Sequence, residues 1–264
     1  MSEGEPLVGD GVTQGIVRIG DTVRRPLRPF SLTIQAYLAH LRDGGFTGAP
    51  QPLGVDEYGR EVLSFVAGDV PGHPLPAEAA GDDVLVALAR LIRGLHEASA
   101  GWVPPPEAVW GGTPATQGRR VIKGSELVSH CDYYPGNVVF RDGLPVALID
   151  FDLAGPGSAV WDFAAAAHYW APLYDEQDIT DSRQGRVLER FRIFLHASGL
   201  RRADRRQVAE AVVANHDWTY AIVTEAAAAG HRGFADHWRM VAEHATRARR
   251  WCQRYQRDLI AAAR

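Results

Sequence analysis

Lysine is nearly missing from this chain. Of its 28 basic residues, Lys123 is the one lysine and the other 27 are arginines. Almost every task that needs a positive charge therefore falls to a guanidinium, which stays charged and grips carboxylates or phosphates at two points. Cysteine is scarce as well. Cys131 and Cys252 alone exclude a disulfide framework or an all-cysteine zinc centre and suit a reduced compartment. No run reaches the roughly 18 uninterrupted apolar residues of a membrane helix. The opening MSEGEPLVGDGV has no apolar core of a secretory signal. The expected location is the cytoplasm, with no membrane partner. A large charge excess is lacking too. The 28 basic residues stand against 32 acidic ones, a net −4, which disfavours nucleic acid as a partner. With 46% hydrophobic residues among 264, there is enough apolar surface for one large domain or two lobes.

The first quarter reads as strands. Val12, Ile16, Val17, Ile19 and Val23 are β-formers punctuated by Gly9, Gly11 and Gly15, and Gly20-Asp21 suits a hairpin turn. Ser31 is placed to cap a helix that runs to Asp43, presents Ile34, Leu38 and Leu41, and stops at Gly44-Gly45. Two more strands follow around Glu57-Tyr58-Gly59. From Asp82 or Asp83, placed as caps, the chain turns helical, with Val84, Leu88, Leu91, Ile92 and Leu95 at helical spacing. NVVF and PVALID form a hairpin across Asp142-Gly143. Beyond Gly157 the chain is helical, broken at Pro172, Gly199 and Gly230–Gly233. The expected fold is α+β and bilobal. A small β-rich lobe, 1–67, binds nucleotide, and a larger, mainly helical lobe, 68–264, carries catalysis and substrate.

The chemistry lies in His130-Cys131-Asp132-Tyr133-Tyr134-Pro135-Gly136-Asn137 and Leu148-Ile149-Asp150-Phe151-Asp152. A hairpin between them returns the chain on itself, so Asn137 and Asp150 meet at one edge. Their hard oxygens suit Mg²⁺, which binds through one or two carboxylates plus phosphates. Asp132 remains to take a proton from a substrate hydroxyl. Base, metal ligands and nucleotide are the parts of phosphoryl transfer.

HCDYYPGNVVF and ALIDFDLAGPGSAVWDFA resemble the aminoglycoside phosphotransferase and choline-kinase-like family, whose usual text is H-G-D-x-x-x-x-N and then I-D-[FW]. Leu95-His96 and Trp161-Asp162 extend the resemblance. It implies a protein-kinase-like fold and an ATP- or GTP-dependent kinase that phosphorylates a hydroxyl of a small molecule, as a monomer or homodimer. By position, Asp132 is the catalytic base, Asn137 and Asp150 hold Mg²⁺, and the Ser64-Phe65-Val66 backbone takes the adenine. His130 supports the loop with Asp162 as its partner. Asp152 is an auxiliary or structural carboxylate, and His96 is structural.

The sequence departs from the family in places. Cys131 stands where glycine is usual. TVRRP offers arginines where the family has a phosphate-binding lysine, which places Arg24 on the nucleotide with Arg25 as the alternative. The next helix offers Gln35 instead of the lysine's usual glutamate partner, and GDGVTQG is a short phosphate loop. The missing Lys–Glu pair motivates a second reading, a nucleotide-binding pseudokinase acting as an immunity or regulatory protein. A protein kinase is disfavoured, since no activation segment fits between Asp150 and Trp161. His168, Tyr169, Trp170 and Trp218 are candidates for a substrate pocket or for the core. Asp217 and Glu225 are candidates for binding a cationic acceptor or for a solvated helix face. Arg247, Arg249, Arg250, Arg254 and Arg257 read as a solvated face.

Overall fold

A computed structural model describes residues 4–7, 15–72, 74–112 and 127–264. The glycines at 9 and 11, the segment 9–14 of the expected phosphate loop, Val12 and Lys123 lie outside these residues. The N-terminal part is a five-stranded antiparallel sheet. Its strands are β1 (Glu5–Pro6), β2 (Val17–Ile19), β3 (Thr22–Pro26), β4 (Pro52–Val55) and β5 (Arg60–Ser64), in the order β1-β2-β3-β5-β4. Gly20-Asp21 makes the turn between β2 and β3, with Gly20 at φ 59°. Gly59, at φ 72°, closes the turn into β5. Helix α1 (Ser31–Asp43) buries Ile34, Tyr37, Leu38 and Leu41 and ends at Gly44-Gly45.

Two expected caps are absent. Ser31 is the first residue of α1 but makes no cap; its hydroxyl accepts from Arg28 N–H and donates to Glu61. Asp82 likewise opens helix α2 (Asp82–Ser99) without capping it, and instead takes Arg186 and Arg190 as ion-pair partners.

The remainder is mostly helical. A hairpin of β7 (Val138–Arg141) and β8 (Leu144–Leu148) turns on Asp142-Gly143, with φ 51° and 77°, the left-handed pair a two-residue hairpin turn requires. Strand β6 (Leu127–Ser129) pairs with β9 (Gly155–Gly157). Then come α3 (Ala159–Trp170), α4 (Val187–Ala197), α5 (Arg202–Ala228), α6 (Arg232–Arg254) and α7 (Gln256–Ala262). Among the described residues no helix is long and apolar enough to cross a membrane. One apolar core runs from Ile34 and Leu38 of α1 through Leu88 and Ile92 of α2 to Phe163 and Trp170 of α3. Trp170 and Trp218 are core residues, 0% and 1% exposed.

The sheet is tied to the β7–β8 hairpin at residues 67–69. Asp69 and Phe140 exchange two backbone hydrogen bonds, 2.9 and 2.7 Å, and Arg141 Nε donates to Ala67 O. Gly68 lies between them at φ 148°, and a Cβ there would sit 2.3 Å from Phe140 O. A side chain would therefore meet both backbone strain and a backbone oxygen. Gly68→Ala is expected to cost about 2 kcal/mol of stability. Gly72→Ala, where a Cβ meets nothing within 4 Å, is expected to stay within about 0.5 kcal/mol. Denaturant midpoints of the two variants check this.

Candidate functional site

Two loops at the hairpin's base form the site. The first leaves β6 and carries residues 130–134 into a short 3-10 turn, Pro135–Asn137. The second leaves β8 through Ile149 and Asp150 into another, Phe151–Leu153. Val138 pairs with Leu148, and Ile149 N–H donates to Asn137 O at 2.9 Å. The hairpin therefore brings Asn137 beside the residues leading into Asp150.

Asp162 of α3 anchors the first loop from beneath. Its carboxylate accepts the backbone N–H groups of His130 (3.2 Å) and Cys131 (3.0 Å) and contacts His96 Nε2 at 2.8 Å. The expected partnership of Asp162 with His130 thus runs through the His130 backbone. The His130 imidazole works elsewhere: Nδ1 accepts from Asp132 N–H at 3.2 Å, and Nε2 lies 3.1 Å from Ile149 O. An acceptor at Nδ1 and a carbonyl at Nε2 define the neutral ring protonated on Nε2. Burial agrees, lowering its pKa to about 4. One buried ring thereby joins both loops.

Cys131 and Asp150 are both left-handed, at φ 69° and 60°. Glycine is the residue that adopts this region without cost, which explains why glycine is the usual residue before the loop aspartate. Each such non-glycine position costs on the order of 1–3 kcal/mol, offset at Cys131 by its hydrogen bond to Asp162.

Asp132 is largely enclosed. Desolvation raises its pKa to about 6, with a further push from Asp152 against the pull of hydrogen bonds from Tyr134 N–H and Asn137. Asp150 is raised as well, by desolvation, then by Asp152 and Asp132, with Arg25 opposing. Its side chain is 41% exposed, so the repulsion among these carboxylates is the part of that shift with the clearest geometric source. Three acids share one corner with too little positive charge.

The positive charge present is Arg25, where the sequence placed Arg24 first. Successive residues of β3 face opposite ways. Arg24 turns to Asp56 (3.5 Å) and to the Thr22 hydroxyl. Arg25 turns inward, buried, with Nη1 2.7 Å from Asp152 and 3.5 Å from Asp150. Its Nε donates to Glu61, which lies directly opposite on β5. Burial works against the Arg25 charge, but Asp152, Glu61 and Asp150 outweigh it and raise its pKa.

The acidic partner that Gln35 did not supply is therefore Glu61, fully buried. Gln35 and Ser31, one turn apart on α1, both donate to it, at 3.2 and 3.1 Å. Its sequence signal was the pairing register: aligning TVRRP against REVLS puts Arg25 opposite Glu61.

The remaining candidates divide. Ser64 N–H is bonded to Gln51 O and Phe65 N–H to Asp21 O, while no such partner for Val66 N–H is found among the described residues. His168 is buried and Tyr169 partly so. Asp217 is held by Arg249, and Arg247 holds Asp178. These two arginines are therefore engaged in ion pairs on the expected solvated face.

Among the described residues no three His, Cys, Asp or Glu side chains form a metal cluster. The donor set suits an ion that takes few protein ligands. Asn137 Nδ2 donates to Asp132 O at 3.4 Å, leaving its oxygen for other partners, and Asp150 is an accessible carboxylate crowded by two others.

The sequence model of the phosphotransferase enzyme family (APH) matches residues 107–194. The trifolitoxin immunity protein of Rhizobium leguminosarum bv. trifolii is 37% identical over 204 residues, 75% of either chain. Among solved structures, a choline/ethanolamine kinase family protein from Mesorhizobium loti is similar with a TM-score of 0.61 at 14% identity, over 100% of this chain and 92% of that one. The APH(2")-IIa protein of a streptomycin–ATP ternary complex gives 0.56 at 13% identity, over 87% and 90%. Aminoglycoside 2'-phosphotransferase-IIIa in its GDP complex gives 0.55 at 15% identity, over 93% of each chain. The chain belongs to the phosphotransferase enzyme family, and its fold is that of the aminoglycoside phosphotransferases and choline-kinase-like proteins.

Proposed function

We propose that the protein transfers the γ-phosphoryl group of ATP or GTP to a hydroxyl of a small molecule. The observation that carries this reading is a carboxylate, Asp132, held near neutrality at about 6, in a loop whose neighbour ends in Asp150 and Asp152 facing Arg25. Asp132 accepts the acceptor's hydroxyl proton, and a base poised near the working pH is suited to that task. Arg25, not Arg24, grips the phosphates, held to its line by Glu61. Asn137 and Asp150 hold Mg²⁺, which when bound neutralises charge on the transferring phosphates. The stretch 64–66 contributes backbone groups to the purine, with Val66 N–H as the open donor. On this reading residues 1–67 are the nucleotide lobe and 68–264 the catalytic lobe, and the protein works in the cytoplasm.

The similarity to an immunity protein favours one second reading, a nucleotide-binding protein that protects its host without phosphoryl transfer. A panel of hydroxyl compounds incubated with ATP or GTP, with product masses read, separates the two. A phosphorylated product supports the kinase. Nucleotide binding with no product from any acceptor supports the second.

Asp132→Asn is expected to abolish transfer while nucleotide binding stays within about twofold. In the wild type, kcat/KM should fall as pH drops through about 6, where Asp132 takes up its proton. The stability effect has the opposite sign. The folded pKa is raised above the unfolded value, so ionised Asp132 costs stability above pH 6, and the cost vanishes near pH 3 where both states are protonated. Asp132→Asn should therefore raise stability at pH 7.5 by on the order of 1 kcal/mol and leave it little changed at pH 3. Thermal melts at the two pH values check this.

Arg25→Ala is expected to weaken nucleotide binding about ten- to a hundredfold. It should also destabilise the fold by about 3–5 kcal/mol, because Glu61 is left buried and unpaired. Arg25→Lys should recover part of both. Arg24→Ala should change affinity by less than about twofold. Calorimetric titration with Mg·ATP reads the affinities. Asp150→Ala should remove most of the dependence of nucleotide binding on Mg²⁺, read by repeating that titration with a chelator.

A further inference from the structure

Beside Asp132 a row of rings runs away from the catalytic loop. Tyr134, two residues beyond Asp132, meets Tyr169 of α3 edge-on at 5.7 Å between centroids. Tyr169 meets His168 at 4.8 Å, and His168 lies 5.6 Å from His216 and 6.3 Å from Tyr220 of α5. Tyr220 in turn lies 4.6 Å from His216 and 5.9 Å from Trp238 of α6. These spacings are those of aromatic rings in contact. Tyr134, Tyr169, Tyr220 and Trp238 are each partly exposed, whereas His168 and His216 are buried behind them. Tyr169 is near enough to Asp132 for that carboxylate to raise its pKa, after the larger effect of burial.

Three carboxylates around this wall, Asp217, Asp178 and Asp181, are already paired. Asp217, next to His216, is held at two points by Arg249, at 2.6 and 2.9 Å. Asp178 is held by Arg247 at 3.0 and 2.7 Å. Asp181 is held by Arg183 at 2.8 and 2.7 Å, and Arg183 also donates to Tyr169 O. A carboxylate bound at both oxygens by a guanidinium has little left for an ammonium ligand. The imidazoles are neutral too: burial, then His216 and His244, lower the pKa of His168 well below its ordinary range. A multiply charged cation moved onto these rings would lose its water shell without gaining Asp178, Asp181 or Asp217 as a free counter-ion. A flat uncharged molecule would gain ring contact at no such cost.

Resting on the phosphotransferase reading above, we propose that this wall is the acceptor site and that it selects an uncharged, hydroxyl-bearing molecule with an aromatic or apolar face, excluding polycationic acceptors. N-acetyltyrosinamide and tyramine share a phenol and differ by a positive charge, and streptomycin serves as a polycation. Binding is read by calorimetry and ligand-observed NMR on wild-type protein, with and without a non-hydrolysable ATP analogue and Mg²⁺, so that no turnover is needed. N-acetyltyrosinamide is expected to bind at least about tenfold more tightly than tyramine, and streptomycin not measurably. Tyr220→Ala and Trp238→Ala should each weaken that binding about tenfold with melting temperatures kept, and Tyr220→Phe should retain it. Arg249→Gln frees Asp217 and should move preference toward tyramine. Tyramine or streptomycin binding as well as the neutral probe overturns the proposal. So does no binding of the neutral probe, or binding indifferent to Tyr220 and Trp238. Titration of the ATP analogue alone judges the phosphotransferase reading, so the two fail separately.

Discussion

One guanidinium joins the sheet to the two loops at the hairpin's base. Arg25 is buried, and its charge is tolerable only because Glu61 meets it from the next strand and Asp152 and Asp150 meet it from beyond the hairpin. The dependence runs both ways. Without Arg25, Glu61 is a fully buried acid with only the uncharged donors of Ser31 and Gln35, and the corner of Asp132, Asp150 and Asp152 loses its nearest counter-charge. A lysine could match the charge but could not reach Glu61 and Asp152 through a planar fork. A chain that has almost no lysine has thus built its central ion pair around arginine geometry. Anything that binds at Asp150 must share that carboxylate with Arg25, which couples ligand binding to the contact between sheet and loops.

The loops themselves are held by neutral chemistry. His130 has no charge to offer, yet its ring spans Asp132 N–H and Ile149 O, the residues on which the spacing of the two loops depends. Asp162 does the same from below, collecting two successive backbone donors and His96. Within these bonded loops Cys131 and Asp150 are left-handed, a conformation that costs a non-glycine residue energy.

Local patterns made much of this legible. Gly20-Asp21 and Asp142-Gly143 named their turns, the helical spacing of Val84, Leu88 and Ile92 named α2, and the hairpin between H-x-D-x-x-x-x-N and I-D foretold that those two loops meet. The differences between sequence and structure share one physical cause, choice of face or partner. Arg24 and Arg25 are chemically identical, and only the inward turn of β3 distinguishes them. Ser31 and Asp82 had the right chemistry for caps, but buried partners, Glu61 and Arg190, competed for the same oxygens. Glu61 passed as an ordinary strand residue because its significance lies in the register between two strands 36 residues apart along the chain. Arg247 and Arg249 read as a solvated face because Asp178 and Asp217 lie far from them in sequence.

The same residue type produces opposite fields on the two sides of Asp132. On the side of Asp150, Arg25 is outnumbered by carboxylates, and burial first, then the neighbouring negative charge, raises the pKa of Asp132 and Asp150. That side is built to receive positive charge. On the side of Tyr169 and Tyr220, Asp178, Asp181 and Asp217 are matched one for one by Arg247, Arg183 and Arg249, and the field is cancelled. A cation drawn to this region therefore has reason to settle at Asp150 and none to settle among the rings. On the proposed reading, separating the two would keep a charged acceptor away from the carboxylates of the nucleotide side. On the same proposal, the acceptor's orientation rests on shape and ring contact, which do not change with salt.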